Sequence, residues 1–460
     1  MSKRASVVCV VLAGVAGALP AAARAQGAGA PAGAPAASAP VLSAQIRSRI
    51  AALEPKVVAW RRDIHQHPEL GNREVRTAKL VADHLRALGI EVKTGVAHTG
   101  VVGLLRGGRP GPVVLLRADM DALPVTERAK LPFASKAKAT FNGQEVGVMH
   151  ACGHDTHVAI LMGVAELLAG MKAELPGTVK FVFQPAEEGP PQGEEGGAKL
   201  MVEQGVLASP AVDAAFALHI DAKREVNTIS YTPRGTYASA DDFRILVKGK
   251  QTHGGYPWNG VDPIVTAAHV ITALQTIVSR QMTLTENPSV VTIGKIQGGV
   301  RSNIIPEQVE MIGTIRALHP DDRKLIHERI RRIATNVAES MGATAEVQIP
   351  VTTAYPVTFN NEALTAAMVP VLEEVAGADR VRLLRPETGA EDFSYIAERV
   401  PSLYIQLGGR PANVAAADAA DHHTPDFYVD DSGLDLGVRA LTAMTLHYMR
   451  ARPATGEMVK

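Results

Sequence analysis

Four stretches of the chain are apolar without alternation: Val101–Leu105, Val113–Leu116, Val179–Phe183 and Ala214–Leu218. A strand with one face in water alternates apolar and polar side chains, so unbroken runs predict strands covered on both faces, as in an α/β sheet. Helical spacing supplies the cover. Apolar residues recur through Ile46, Ile50, Leu53, Val57 and Trp60, and a second helix is predicted from about Thr77 to Leu88, where Gly89 stops it. Val158–Leu168 is the clearest helix between strands, and a strand at Leu403–Leu407 and a helix at Leu434–Met449 close the pattern.

The middle reads differently. Strands are predicted at Phe243–Val247, Val290–Ile296, Val309–Ile315 and Thr344–Ile349, with helices at Pro263–Ser279 and Arg323–Met341. The order β-α-β-β-α-β is that of the ferredoxin-like split motif. The expected fold class is therefore a larger α/β domain, residues 43–236 and 349–460, with a mostly parallel sheet flanked by helices. A smaller ferredoxin-like domain is inserted at 237–348.

The first residues change the picture. Lys3 and Arg4 precede the short apolar run Val7–Leu19, and Ala23-Arg24-Ala25 offers a small-x-small cleavage site before Gln26. The run is too short for a permanent span, which favours a secretory signal at 1–25 over an uncleaved anchor. Export to the periplasm or the medium is expected. Residues 26–42, rich in Ala, Gly and Pro, read as a flexible tether. Of the two cysteines, Cys9 leaves with the signal, so Cys152 is alone in the mature chain. A lone thiol in an oxidising compartment calls for a job in burial, metal binding or catalysis. Lys plus Arg and Asp plus Glu both number 47, and no basic stretch suggests a nucleic-acid footprint. A small molecule or peptide is the expected partner, and no later stretch is fit for stable membrane insertion.

Polar groups collect where the apolar runs stop. Val113–Leu116 leads into Arg117-Ala118-Asp119-Met120-Asp121, Val179–Phe183 into Gln184-Pro185-Ala186-Glu187-Glu188, and Ala214–Leu218 ends at His219. In open α/β sheets, sites form beyond the carboxyl ends of strands, so these groups can converge. His150-Ala151-Cys152-Gly153-His154-Asp155-Thr156-His157 precedes the Val158 helix. A thiol and an imidazole two apart in an extended loop can point the same way, and both are donors suited to zinc and, less strictly, to manganese or cobalt. A packed helix start with satisfied histidines is the bland alternative. Glu187 and Glu188, if extended, project to opposite sides, so one can hold a cation while the other faces water. A divalent cation makes a water it holds more acidic, and a nearby carboxylate can move the proton to a leaving amine. Glu194 and Glu195, in a Gly-rich run, fit a solvated loop instead.

His422-His423-Thr424-Pro425 adds a late imidazole. The insert carries His253 in a loop after a strand, Gly298-Gly299-Val300-Arg301-Ser302-Asn303 between two strands, and Arg316 at the end of the second. Such groups can close over a substrate, polarise its carbonyl and grip its acid end, since the arginine fork binds both oxygens of a carboxylate. Capping a turn or pairing with a surface acid would serve them equally well.

Taken in order, Arg117 through Pro124, His150 through His157, Gln184 through Gly189, and the His253, Asn303 and His423 segments resemble the aminoacylase and carboxypeptidase family of co-catalytic metallopeptidases. The hippurate hydrolase and auxin-conjugate amidohydrolase branch is the most similar, over about residues 44–450. The resemblance implies two divalent ions (zinc, manganese, cobalt or nickel) held by Cys152, His154, Glu188, His219 and His423. It implies Glu187 as general base and Asp121 as the acid that orients a ligand. His253 and Asn303 would hold the substrate carbonyl or carboxylate, the histidine reaching in from a dimer partner, and Arg316 would bind substrate. The implied activity is cleavage of the amide bond of N-acyl amino acids, similar small conjugates or dipeptides. The Tyr256-Pro257-Trp258 segment is bulkier than in many relatives, which leaves pocket size open. Two other readings compete: a cysteine hydrolase built on Cys152 and His154, and a non-catalytic binding protein on the same fold.

Overall fold

A computed structural model describes residues 40–352 and 354–452. The expected signal and nearly all of the tether lie outside the described residues. Leu42, assigned to the tether, is instead buried, so ordered structure starts slightly earlier than its composition suggests.

Helix α1 (Ala44–Gln66) begins at Ser43, whose Oγ accepts the Ile46 N–H at 3.3 Å, and it buries Ile46, Ile50, Leu53, Val57 and Ile64. Then come α2 (Val75–Ala87), β1 (Glu91–Val96), β2 (Gly100–Arg106), β3 (Arg109–Asp119), α3 (His154–Ala169), β4 (Pro176–Gln184), β5 (Ala214–Glu225) and β6 (Ile229–Tyr231). The insert holds β7 (Asp241–Lys248), α4 (Pro263–Thr276), β8 (Ser289–Gly298), β9 (Gln308–Ala317), α5 (Pro320–Ser340) and β10 (Thr344–Gln348). The chain closes with α6 (Glu362–Ala376), β11 (Val381–Leu383), β12 (Ser402–Arg410) and α7 (Leu434–Ala451).

The larger sheet has the order β1-β2-β4-β3-β5-β12-β6-β11. Its four central strands, β4 to β12, are parallel, and antiparallel pairs join them to β2 on one side and β6 on the other. Val114, Leu115 and Leu116 of β3 and Phe181, Val182 and Phe183 of β4 are all buried, so both faces are covered as the unbroken apolar runs require. On one face, Leu116, Phe181, Phe183 and Phe216 share a core with apolar residues of α1, α3 and α7. On the other, Leu115, Val182, Ala215 and Ala217 meet Met201, Phe393 and Tyr404. Because β4, β3 and β5 are parallel neighbours, the loops after their carboxyl ends share one edge of the sheet, and that edge positions the site.

The second sheet has the order β8-β9-β7-β10 and is antiparallel throughout, the arrangement of the split β-α-β motif. Its strands alternate: Val309, Met311, Ile315 and Ala317 of β9 face a separate core with Ala267, Val270 and Leu274 of α4 and Ile326, Ile330 and Ala334 of α5. Among the described residues, no helix is long and apolar enough to cross a membrane.

Several elements are absent from the sequence reading. β1 is mostly exposed and carries Lys93, so it lacks an apolar pattern. A short helix, Gly197–Glu203, begins at the end of the Gly-rich run. Ala198 donates its backbone N–H to Asp392 Oδ2 there, a tertiary contact that local propensity does not foresee.

Candidate metal centre

Two strand ends, a histidine within a third strand and one helix start supply the chemistry. His154 is the first residue of α3, and Gly153 before it has φ +94. A Cβ at Gly153 would lie 2.2 Å from Ile220 Cγ2, so glycine meets both the backbone and the packing demands. This bend sets Cys152 and His154 toward the same point. His423 enters from the far end of the chain: its backbone N–H donates to the Ala151 carbonyl at 2.8 Å, which fastens its loop to the Cys152 loop.

Cys152 Sγ lies 3.4 Å from His219 Nε2 and 3.4 Å from His423 Nε2. His423 Nε2 is 2.9 Å from Glu188 Oε1, and His154 Nε2 is 3.9 Å from Glu187 Oε2. Two groups of donors meet at the thiol, Cys152–His154–His219 and Cys152–Glu188–His423, each with its ligand atoms within 4.8 Å of one another, so one sulfur can serve two cations. Glu187 comes equally close to His154 and Glu188. Asp121 ties the groups together. One of its oxygens lies 3.2 Å from His154 Nδ1, and the other accepts the Glu188 backbone N–H at 3.0 Å. It touches ligands on both sides without entering either group.

The donor set fits divalent cations. Buried His154 Nε2 and Glu188 Oε1 have no hydrogen-bond partner, although His423 stands close to the latter. Orphaned polar atoms converging on one point are costly unless something binds them. Burial alone would lower the His154 pKa, but Asp119, Asp121 and Glu188 outweigh it and push it up to about 10. Burial, reinforced by Glu188 and Glu187, drives the Cys152 thiol well above its ordinary value. A nucleophilic cysteine needs the opposite shift, so the cysteine-hydrolase reading has no support in this geometry. A cation among these groups reverses both shifts, because it favours thiolate and neutral imidazole.

The structure corrects two local expectations. Glu187 and Glu188 are not extended: they sit in a turn after Ala186, whose φ is +50, and the turn keeps a carboxylate oxygen of each within 4.8 Å of the other and of His154. β5 does not stop at His219 but runs to Glu225, pairing with β12 after its contact with β3 ends at Ala217. Glu194 does fall in a loop, yet it pairs with Arg73 and Asn72 rather than with water alone.

Glu391 and Asp392 were overlooked. Both are buried, and with Glu187 they form a cluster of carboxylates. Fully buried Arg117 counters them, donating to Asp119 at 2.6 Å, Glu391 at 2.8 Å, Gln184 at 2.9 Å and Asp392 at 3.1 Å. Burial, then Glu391, Glu188 and Asp392, hold the Glu187 pKa well above the ordinary carboxylate range. Adjacent acids in Gly389-Ala390-Glu391-Asp392-Phe393 were the available signal, but no apolar strand leads into them.

A cavity of about 500 Å³ opens over the centre, lined by Cys152, Glu188, His219 and His423 with Glu187 and Arg224 among others, while His154 lies beneath it. Arg224 is flanked there by Asp221 at 3.1 Å and Glu387 at 3.5 Å. The insert residues lie elsewhere. His253 and Asn303 are exposed neighbours, joined through the Gly254 N–H and the Asn303 carbonyl at 2.8 Å. Arg316 donates to Thr314 Oγ1 at 2.7 Å and the Ile315 carbonyl at 3.0 Å. None of the three lines the cavity.

A thiol, imidazole and carboxylate centre running from buried Cys152 and His154 to exposed His423, under an open cavity, is that of a metal-dependent hydrolase. The chain belongs to peptidase family M20/M25/M40, whose family model matches residues 115–447. It is 39% identical over 405 residues to thermostable carboxypeptidase 2 of Saccharolobus solfataricus, covering 88% of this chain and 98% of that one. It is 33% identical over 424 residues to the IAA-amino acid hydrolase ILR1-like 2 of Arabidopsis thaliana, covering 90% and 92%. Among solved structures, the Bacillus subtilis YXEP protein, a dinuclear metal-binding peptidase of the M20 family, superposes with a TM-score of 0.70 at 33% identity, covering 87% and 99%.

Proposed function

We propose that this hydrolase cleaves the amide bond of N-acyl amino acids, similar small conjugates or dipeptides, with two divalent cations and Glu187 as general base. The observation that carries the proposal is the pair of donor groups meeting at Cys152, with the Glu187 carboxylate beside them. Cys152, His154, Glu188, His219 and His423 would hold the cations. When bound, these supply Lewis-acid charge that draws electrons from the amide carbonyl and eases proton loss from water.

Glu187 takes the proton from the attacking water as the new C–O bond forms. It returns a proton to the amine as the C–N bond breaks. Its depth beside Glu391, Glu188 and Asp392 raises its proton affinity, and the charge of bound cations would lower it again, leaving a carboxylate able to take the water proton and pass it on. Asp121 fixes the ring of His154 and the backbone of Glu188. We assign His253 and Asn303 to the substrate carbonyl or carboxylate, reached across a homodimer or on closure of the insert, since within one chain both stand outside the cavity. Arg316 belongs to the same substrate-binding set.

Zinc, manganese, cobalt and nickel all suit a mixed sulfur, nitrogen and oxygen donor set. The test is a panel of benzoyl-, aliphatic acyl- and indolyl-amino acids and dipeptides, with each metal returned to stripped protein. Hydrolysis restored by one or more metals supports the proposal. Metal-loaded protein inactive across the panel would favour a binding protein, and activity that survives metal removal but not thiol alkylation would favour a cysteine hydrolase. Export is part of the proposal, and it requires a mature chain beginning near Gln26, which N-terminal sequencing of the exported protein checks.

A further inference from the structure

The His150–His157 segment offers three imidazoles, and the donor groups described above use only His154. His157 stands three residues further along α3, buried, with both ring nitrogens occupied. The Ile220 backbone N–H lies 2.8 Å from Nε2 and can only donate, so Nε2 is the acceptor. The ring proton therefore sits on Nδ1, where it donates to Asp119 Oδ1 at 2.5 Å. Asp119, His154 and His157 are close enough together to suggest a further cation group. With one nitrogen protonated and the other accepting, His157 has no lone pair for a cation.

Its effect falls on His219. Ile220 follows His219, and the Ile220 carbonyl accepts from His219 Nδ1 at 2.6 Å. That bond leaves His219 Nε2 turned toward Cys152 Sγ. The Ile220 residue is thus gripped at its N–H by His157 and at its carbonyl by His219. The position explains the need: β3 pairs with β5 only as far as Arg117 opposite Ala217, so beyond it the β5 backbone has lost its strand partner on that side.

We infer that Asp119 and His157 are positioning residues for His219: they replace the missing strand and fix the backbone from which this imidazole is aimed. The inference rests on the reading of Cys152 and His219 as cation donors. β3 then serves both imidazoles, with Asp121 touching His154 directly and Asp119 acting on His219 through His157 and the Ile220 backbone.

The test is cation binding by the whole protein, stripped and titrated with zinc or cobalt(II), with stoichiometry read by elemental analysis and affinity by competition. His157→Leu removes both bonds. In Asp119→Asn the one remaining oxygen is held by Arg117, which donates to Oδ2, so the amide NH2 faces His157; the ring proton then moves to Nε2, which can no longer receive the Ile220 N–H. His157→Gln can keep one donor and one acceptor. Wild type and His157→Gln should bind two cations alike, whereas His157→Leu and Asp119→Asn should weaken one of the two by roughly 10–100-fold. Circular dichroism of the stripped proteins identifies folded variants. Should His157→Leu not fold, the contrast between Asp119→Asn and His157→Gln decides.

A folded His157→Leu or Asp119→Asn that binds both cations with wild-type affinity overturns the inference. His219→Ala separates this failure from the other: if that variant also keeps both cations, the donor assignment itself is wrong.

Discussion

The two sheets use apolar residues in opposite ways. In the larger one, β3 and β4 are buried on both faces, and apart from Lys180 in mid-strand their buried charged groups collect toward the carboxyl ends: Arg117, Asp119, Asp121 and Glu187 are all nearly inaccessible. In the insert, β9 buries alternate residues and β8 leaves Val290 and Ile296 exposed, while His253 and Asn303 stand in solvent. Burial shifts proton affinities and leaves donors without partners, which is the condition for holding cations and moving protons. Exposed groups have ordinary surroundings and gain catalytic weight only when another surface meets them. The groups fit to hold cations and move protons therefore lie on the larger sheet.

The largest effect should come from the buried side. Glu187→Gln removes the proton carrier but no cation donor, so turnover should fall by roughly 10²–10⁴-fold with metal content unchanged. Steady-state rates and elemental analysis check this, and parallel loss of metal would show the two glutamates to be misassigned. On the exposed side, His253→Ala should cost about 100-fold in turnover, the usual value of one aimed donor, again with metal retained. A near-normal rate would remove the insert from the reaction.

The pH dependence of metal binding sharpens the contrast. In stripped protein the His154 pKa lies at about 10, above its ordinary 6.5, so the stability this group contributes is fully present below 6.5 and is lost as pH rises through 10. A cation must displace that proton and the one on Cys152, so affinity rises over the same window. Thermal melts from pH 7 to 10 should show a widening gap between loaded and stripped protein; a constant gap would place the cations elsewhere. The smallest effects compare packing alone. Phe216→Ala in the twice-covered sheet should cost about 3–5 kcal/mol, and Val290→Ala on the insert surface should stay within about 0.5 kcal/mol in denaturant titrations.

The same difference governs what could be read from the chain. Unbroken runs such as Val179–Phe183 and the alternation of β9 identify their strands, because burial on two faces or one is written directly into residue order. The donors at Glu188 and His219 were legible because each follows an apolar run, and His154 because its cluster leads into one. Glu391 and Asp392 were not: they reach the site through a loop held by Arg117, a contact across more than 270 positions that no local pattern encodes. His157 was visible but indistinguishable from its neighbours, since only the fold shows the Ile220 N–H and Asp119 occupying its ring. The turn at Glu187–Glu188 was missed because a non-glycine residue, Ala186, takes the left-handed conformation, held by its N–H donating to Glu74 Oε1 at 2.9 Å.

The central claim is that one sulfur joins two cation positions. Metal stoichiometry of stripped and reloaded Cys152→Ala, measured beside wild type, tests it most directly. The account predicts two cations per wild-type chain and loss of affinity at both positions together in the variant. A folded Cys152→Ala that retains both at wild-type affinity would contradict it.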